Sequence, residues 1–510
     1  MGFKGFQVSF RGSYISGEFR KPSEQHGECI NKNPGDFSDE VVRFHYSYSS
    51  PGEAVEAAKA AFPAWKKLGI PERSQYLEKF CEAVNRRVEE FAEIIARETG
   101  KPMWESHQEV LAMVEEVRTS VADSKKLFSD LAAQKARAEA NGAESYRLKP
   151  VGVMAVIGSF VSPCEATGAY FASALATGNT VILKPSEKTP FTGQLIAECF
   201  DAAGIPKGVF NLVQGEREVG RRLCVSEGVD AVLFTGSYET GTRIKQDTLQ
   251  QSWKLLVLQM GGKNSSLIWE DADLDGVLRD TLVSAYAFAG QRCTSTSRVI
   301  IHEKIVDEFV SKFHQKSKAF SIGNPLTNPF MGPLIDQGSV DRYMKFLGIA
   351  LREGCEVVMR GKMLDSPALN GNYVTPSICR VKDNSYDAVK KSVYQQNEVM
   401  GPNLSVLTTS DLDHAIALTN GTQYGLVSSV YTKDRAVFEK AADELKFGSI
   451  HWNRPTILGS PRLPTLGLKK SGNHMPAGSF SPRFCAYPVS SIEGETPIVG
   501  NPRQIFPEKI

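Results

Sequence analysis

The sequence predicts an α/β protein organised around a doubly wound parallel sheet, with more than one domain. Three observations carry this expectation. Strand-like apolar runs and helical segments alternate four times between Val151 and Phe234, as in a parallel sheet with crossover helices. A chain of 510 residues is too long for a single core. A hydrophobic content of 41% with 23% charged residues is that of an ordinary globular protein. The formal net charge of +1 supplies no long-range field for nucleic acid or an anionic membrane, so neither partner is expected.

In chain order, residues 1–50 alternate apolar and polar positions around Gly and Pro, as in Gly12-Ser-Tyr-Ile-Ser-Gly-Glu18, and read as short strands of an edge ribbon. From Ser50 the period becomes helical, with Val55, Ala58, Ala61 and Phe62 on one face. Further helices are expected from Glu72, over Val88–Thr99 up to Gly100, and from Met103 to about Ala136. Their charged faces read as solvated surface. The alternating region follows, with strands at Val151–Gly158, Asn179–Lys184, Gly208–Val213 and Ala231–Phe234. In the second half, Ser297–His302, Cys355–Arg360, Asn403–Thr408 and Leu426–Tyr431 read as strands among helices. Beyond Ile450, Pro, Gly, Ser and Arg accumulate up to Arg483, the composition of an ordered loop system.

No apolar run approaches the ~20 residues of a membrane span, and Met1–Gln7 lacks the apolar core of a signal peptide. Nine cysteines without CxxC pairs argue against a zinc site or a disulfide framework, so no metal is expected. With no export signal, their odd number fits a reducing cytoplasm.

Two stretches carry chemistry. The GxGxxG fingerprint is absent, but Phe234-Thr-Gly236-Ser237 follows a strand and opens a helix. Gly236 lets the backbone turn, Ser237 offers a hydroxyl, and the helix N-terminus favours an anion such as a pyrophosphate. A Gly-Ser turn of this kind is also a common structural device. The second stretch is Gly290-Gln-Arg-Cys293-Thr-Ser. A thiol acts as a nucleophile only as thiolate, and a neighbouring arginine among hydroxyl-bearing residues is an environment that lowers its pKa. Most cysteines are nevertheless small buried hydrophobes, and Cys164 reads as one of them.

Taken together, Leu183-Lys-Pro-Ser-Glu187, Phe234-Thr-Gly-Ser237, Met260-Gly-Gly-Lys263, Gly290-Gln-Arg-Cys293, Asn397-Glu-Val-Met-Gly-Pro402 and Lys470-Ser-Gly472 resemble the aldehyde dehydrogenase superfamily from about residue 10 to 490. Ala96–Glu105, Asn211–Gly215, Trp452–Pro455, Ser471–His474 and Cys485–Pro488 resemble most the N-succinylglutamate 5-semialdehyde dehydrogenases of arginine catabolism. The resemblance implies a Rossmann-type NAD-binding domain (10–136 and 150–261), an α/β catalytic domain (262–472) and an oligomerisation ribbon (137–149 with 478–500). A homodimer or homotetramer is implied with it. The resemblance makes Cys293 the nucleophile and assigns NAD to Lys184, Glu187, Gly236, Ser237 and Glu398. A carboxylate at Glu187 disfavours a 2′-phosphate and so favours NAD over NADP. Arg454, Ser471 and His474 lie in segments that can meet a carboxylate-bearing substrate.

The chain departs from the family pattern inside the site. Val161 stands where the family has the Asn that completes the oxyanion hole, and Gln259 where it has the general-base Glu. Met400 replaces an aromatic near the nicotinamide, and Pro464-Thr-Leu-Gly467 replaces Pro-Phe-Gly-Gly beside the substrate funnel. Three readings stay open. One is a working semialdehyde dehydrogenase in which Glu165 or Glu398 activates water. The second is a coenzyme A-acylating relative. The third is a catalytically impaired NAD-binding protein with a structural or regulatory role.

Overall fold

The computed structural model describes residues 9–140, 144–364 and 369–492. The N-terminal Met1–Gln7 stretch lies outside them. The chain opens with β1 (Ser13–Ile15), β2 (Glu18–Arg20) and the hairpin of β3 (Gly27–Asn33) with β4 (Asp36–Tyr46). Helices α1 (Ser50–Trp65), α2 (Ile70–Asn85), α3 (Val88–Thr99) and α4 (Met103–Ala140) follow. Gly100, at φ 79°, ends α3 in the left-handed conformation that favours glycine. The helix α4 runs four residues beyond the expected boundary, so 137–140 is helix and not ribbon. The segment Leu131-Ala-Ala-Gln-Lys-Ala-Arg-Ala-Glu-Ala140 consists of strong helix formers, which is reason enough.

Next come β5 (Glu144–Pro150), β6 (Val153–Ile157), α5 (Glu165–Thr177), β7 (Thr180–Lys184), α6 (Pro190–Ala202), β8 (Phe210–Leu212), α7 (Arg217–Val225), β9 (Ala231–Gly236), α8 (Tyr238–Asp247) and β10 (Leu255–Met260). They form a seven-stranded sheet in the order β10-β9-β6-β7-β8-β1-β2, parallel from β10 to β8. Every residue of β6 and β7 is buried, as expected for strands covered on both faces. The first two strands do not make a separate ribbon. They extend this sheet, β1 pairing antiparallel with β8 at Tyr14 and Leu212. Burial of Tyr14 explains the attachment, its hydroxyl donating to Asp201 Oδ1 at 2.9 Å.

A second seven-stranded sheet follows from β11 (Asn264–Ile268), α9 (Leu274–Tyr286), β12 (Thr296–His302), α10 (Glu303–Ser317), α11 (Gln337–Arg352), β13 (Glu356–Met359), β14 (Ser377–Arg380), β15 (Asn403–Thr409), β16 (Tyr424–Gly425), β17 (Val427–Tyr431) and β18 (Ser449–Trp452). Its order is β13-β14-β15-β12-β11-β17-β18, while β16 pairs outside it with Leu468–Lys469. β5 pairs antiparallel with Ala486–Ile492, from Ala486 opposite Pro150 to Ile492 opposite Glu144. Residues 493–500 of the expected ribbon lie outside the described residues. No helix among the described residues is long and apolar enough to cross a membrane.

The second sheet is locked from inside by Arg298 on β12, 0% exposed. Its guanidinium donates to Leu418 O at 2.6 Å, Thr419 O at 3.2 Å and Gln395 Oε1 at 3.0 Å, satisfying carbonyls at the end of the Leu412–Asn420 helix. Burial lowers its pKa to about 10, still charged at neutral pH. Arg298→Met leaves those acceptors unpaired and should cost about 2–4 kcal/mol, read as a lower thermal-unfolding midpoint. An unchanged midpoint would contradict this.

Candidate active site

A cavity of about 820 Å³ opens beyond the carboxyl ends of β6, β7, β9 and β10, where open parallel sheets bind ligands. Its far wall is formed by the Cys293 loop, Glu398 and the 449–465 segment.

At the end nearest β7, Lys184 is 4% exposed with Nζ 3.5 Å from Glu187 Oε2. Burial lowers the lysine pKa, and the carboxylate opposes that shift. Ser237 caps α8, its Oγ accepting from Thr240 N at 3.2 Å. Gly236 is needed for space and not for its turn. It is absent from the positive-φ glycines, but a Cβ there would lie 2.5 Å from Phe234 Cζ. Glu398 folds under the next turn, with Oε1 accepting from Gly262 N at 3.0 Å. Burial raises its pKa to about 7, outweighing that hydrogen bond. An ammonium–carboxylate pair, a capped helix N-terminus and a second carboxylate along one cleft fit a nicotinamide dinucleotide.

At the other end, α9 gives way to a turn at Ala287–Gly290 in which Phe288 (φ 49°), Ala289 (φ 51°) and Gly290 (φ 68°) are all left-handed. Two non-glycine residues there cost about 1–2 kcal/mol each, so the surroundings must impose the turn. Glu105, 0% exposed, accepts from Phe288 N at 2.9 Å and from Arg292 Nε at 2.7 Å. The amide of Gln291 donates to Phe288 O at 3.1 Å while its Oε1 accepts from Ile335 N at 2.9 Å. Asn264 Nδ2 donates to Cys293 O at 2.7 Å.

This clamp sets Cys293 on the cavity wall, partly accessible, while Cys164 is buried. Arg292 is not the free cation that its place in the sequence suggests, because Glu105 engages its guanidinium. Burial, then the charge of Glu398, push the Cys293 thiol up to about 12, and Arg292 pulls the other way less strongly.

Val161 lines the cavity with an isopropyl group that donates nothing. Its carbonyl accepts from Lys101 Nζ at 3.0 Å, and Lys101 is ion-paired with Glu109 and lies 4.7 Å from the Phe288 ring centroid. Gln259 also lines the cavity, its Nε2 donating to Thr465 O at 2.8 Å. Arg454 is on the wall and exposed, with Nη1 donating to Asn453 O at 2.7 Å. Ser471 and His474 are not on that wall. Ser471 is 0% exposed, its Oγ accepting from Gly425 N at 3.0 Å and its carbonyl from Met260 N at 2.9 Å, so it stitches β16 to β10. His474 stands exposed outside, at φ 63°.

Glu105 and Glu109 were read as part of a solvated helix surface, yet both are buried, as is Lys101 in the turn before α4. The i, i+4 spacing of Glu105 and Glu109 puts them on one face of α4, a signal that distinguishes a buried polar seam only once the partner turn is known.

Labelling of Cys293 by iodoacetamide, followed by peptide mass, should rise about tenfold per pH unit between roughly pH 7 and 9, because the thiolate is a minor species throughout. Glu398→Gln removes a charge that opposes the thiolate and should speed labelling about threefold or more at the upper end. A flat profile would contradict the buried-thiol account.

An aldehyde dehydrogenase family model matches residues 23–486. The N-succinylglutamate 5-semialdehyde dehydrogenase of Chromobacterium violaceum is 33% identical over 485 residues, 94% of this chain and 96% of the relative. The Escherichia coli enzyme of that name is 33% identical over 465 residues, 90% of this chain and 92% of its own length. Among solved structures, an NAD-dependent aldehyde dehydrogenase from Sinorhizobium meliloti matches with a TM-score of 0.88 at 27% identity, covering 96% of each chain. A 1-pyrroline-5-carboxylate dehydrogenase from Thermus with bound NAD gives 0.85 at 27% identity, covering 95% of this chain and 92% of that one. Two largely parallel sheets, a long cleft with a clamped cysteine across it, and agreement along nearly the whole sequence lead to one assignment: the chain belongs to the aldehyde dehydrogenase family of oxidoreductases.

Proposed function

We propose that the protein oxidises an aliphatic semialdehyde to the acid with NAD, by way of a thiohemiacetal and a thioester on Cys293. The observation that carries this reading is Cys293 held on the same cavity as Lys184, Glu187, Ser237 and Glu398. In this reading Lys184 binds the adenosine ribose hydroxyls and Glu187 repels a 2′-phosphate, favouring NAD over NADP. The N-terminus of α8 at Gly236 and Ser237 receives the pyrophosphate, and Glu398 accepts from the nicotinamide ribose. NAD bound there supplies the hydride acceptor. A ribose hydroxyl donating to Glu398 also disperses the charge that now opposes ionisation of Cys293.

The thiolate then attacks the aldehyde carbon, and backbone donors of the clamped turn are left to meet the oxyanion. Val161 adds none, and losing one such donor costs roughly 10²–10³ in rate. Water must finally split the thioester. Gln259 cannot take its proton and is tethered to Thr465 O, and a positioned base is worth about 10²–10⁴. Glu398, raised to about 7, is a cavity carboxylate with the affinity for that proton. Acylation is therefore expected to outrun deacylation. The tether on Gln259 also supports a second reading, in which a thiol such as coenzyme A takes the acyl group, since a thiol needs less help from a base.

The names of the relatives make N-succinylglutamate 5-semialdehyde the reference aldehyde. Arg454 is one of the guanidinium groups on the cavity wall, and it can meet a carboxylate. The two-stranded ribbon of Glu144–Pro150 with Ala486–Ile492 leaves Tyr487 at 44% and Ile492 at 80% exposure. An isolated pair of strands is marginal alone, which supports a homodimer or homotetramer built through it.

Mixing enzyme, NAD and that semialdehyde should give an NADH burst of about one equivalent per active site and then slow turnover, with an acyl mass on Cys293. Gln259→Glu should raise the slow rate by about tenfold or more without enlarging the burst. Intact NAD binding with no burst from a panel of aldehydes would sink the proposal in favour of a catalytically silent NAD-binding role.

A further inference from the structure

β18 brings a histidine to the wall of the Cys293 cavity. Side chains alternate across a strand, so Ser449 and His451 share one face of β18 while Ile450 and Trp452 share the other. Ile450 packs against the hydrophobic cluster that contains Val430 and Leu445. Trp452 stacks on Phe438 of the Arg435–Glu444 helix, with ring centroids 4.9 Å apart. The opposite face is therefore the one turned to the cavity, and Ser449 and half-buried His451 both line it together with Cys293 and Gln259.

Hydrogen bonds tie this wall to the chain around the nucleophile. Thr456 Oγ1 donates to Thr294 O at 2.7 Å. Asn264, whose amide holds Cys293 O, accepts from Val427 N at 3.3 Å through Oδ1, and Val427 is the ladder neighbour of Ser449. The ring of His451 is fixed by a 2.9 Å hydrogen bond between Nδ1 and Pro455 O, the residue before Thr456. A carbonyl can only accept, so Nδ1 carries the proton and the lone pair of the neutral ring is on Nε2. Nε2 has no hydrogen-bond or ion-pair partner among the described residues. An imidazole oriented through Nδ1 with its Nε2 lone pair free is equipped to take a proton.

We infer that His451 is the general base of deacylation, activating the water that splits the Cys293 thioester. The inference rests on the proposed Cys293 chemistry and supplies the group that Gln259 lacks. It gives His451 the proton that Glu398 has the affinity to take. Glu398 already accepts from Gly262 N and, in the proposed NAD complex, from a ribose hydroxyl, whereas Nε2 is unengaged. In this step the water oxygen bonds to the thioester carbon while Nε2 takes one of its protons. The C–S bond then breaks, its electron pair goes to Sγ, and the imidazolium returns the proton to that sulfur. The acid leaves as its carboxylate, giving its own proton to solvent.

The test acetylates the full-length protein with p-nitrophenyl acetate, removes the ester, and follows loss of the acetyl mass from the Cys293 peptide. Uptake of one acetyl per site shows that a variant is folded. His451→Asn keeps an amide donor for Pro455 O and removes the basic nitrogen, so it should still take up one acetyl and lose it about a hundredfold more slowly. His451→Gly should be slowed likewise, and added imidazole should then speed the loss about tenfold or more, an effect absent in His451→Asn, where the space is filled. Loss from His451→Asn as fast as from the unsubstituted protein, or collapse of the rate in Glu398→Gln instead, would overturn the inference and leave the Cys293 chemistry standing. A slowed His451→Gly that imidazole does not rescue would make the residue structural and also overturn it. No acetyl on Cys293 in the unsubstituted protein would overturn the Cys293 chemistry and this inference with it.

Discussion

The site depends on one buried carboxylate. Glu105 receives the amide of Phe288 and the guanidinium of Arg292, and so holds a turn that two non-glycine residues would not adopt by themselves. Taking either partner from such a buried ion pair costs about 3–5 kcal/mol, enough to offset the turn's own strain of about 2–4 kcal/mol. The same ion pair keeps Arg292 from acting as a free counter-ion to Cys293, which stays a protonated thiol until the site fills. The position of Cys293 thus comes from this pair, while its raised thiol comes first from burial and then from the charge of Glu398.

Helix α4 extends this control. From its first three turns Glu105 reaches the cysteine turn, and Glu109 with Lys101 fixes the carbonyl of Val161. About two turns beyond Glu109, Glu116 also lines the cavity. Scaffold and loop position therefore share one element. Val161 carries no side-chain donor and Gln259 no ionisable group, which is why the proposed chemistry separates acylation from hydrolysis.

Much of this could be read from the sequence, and what could not has physical reasons. The fully buried strands β6 and β7 are continuous apolar runs, and β12, β15 and β17 were found the same way. β10, β11, β14 and β18 were passed over because Gln259, Asn264-Ser-Ser, Ser377 and Ser449-Ile-His break the apolar signal. Those segments are strands because parallel neighbours supply their ladders. Cys293, Lys184, Glu187, Ser237 and Glu398 were legible as motif positions. Ser471 and His474 were misplaced because nearness in sequence to a site segment does not say which way a tight turn faces. The seam of Glu105 and Glu109 with Lys101 was missed because charged residues on a helix or in a turn default to solvent, and only the packed turn opposite them gives them partners.

The most direct test of the central claim uses no cofactor. p-Nitrophenyl acetate, added at about pH 9 to favour the thiolate of Cys293, reports acylation by release of nitrophenolate and deacylation by the steady rate that follows. The account predicts a burst of about one equivalent per site, slow turnover, and an acetyl group recovered on the Cys293 peptide. Fast turnover without accumulation, or an acetyl group on another residue, would contradict it.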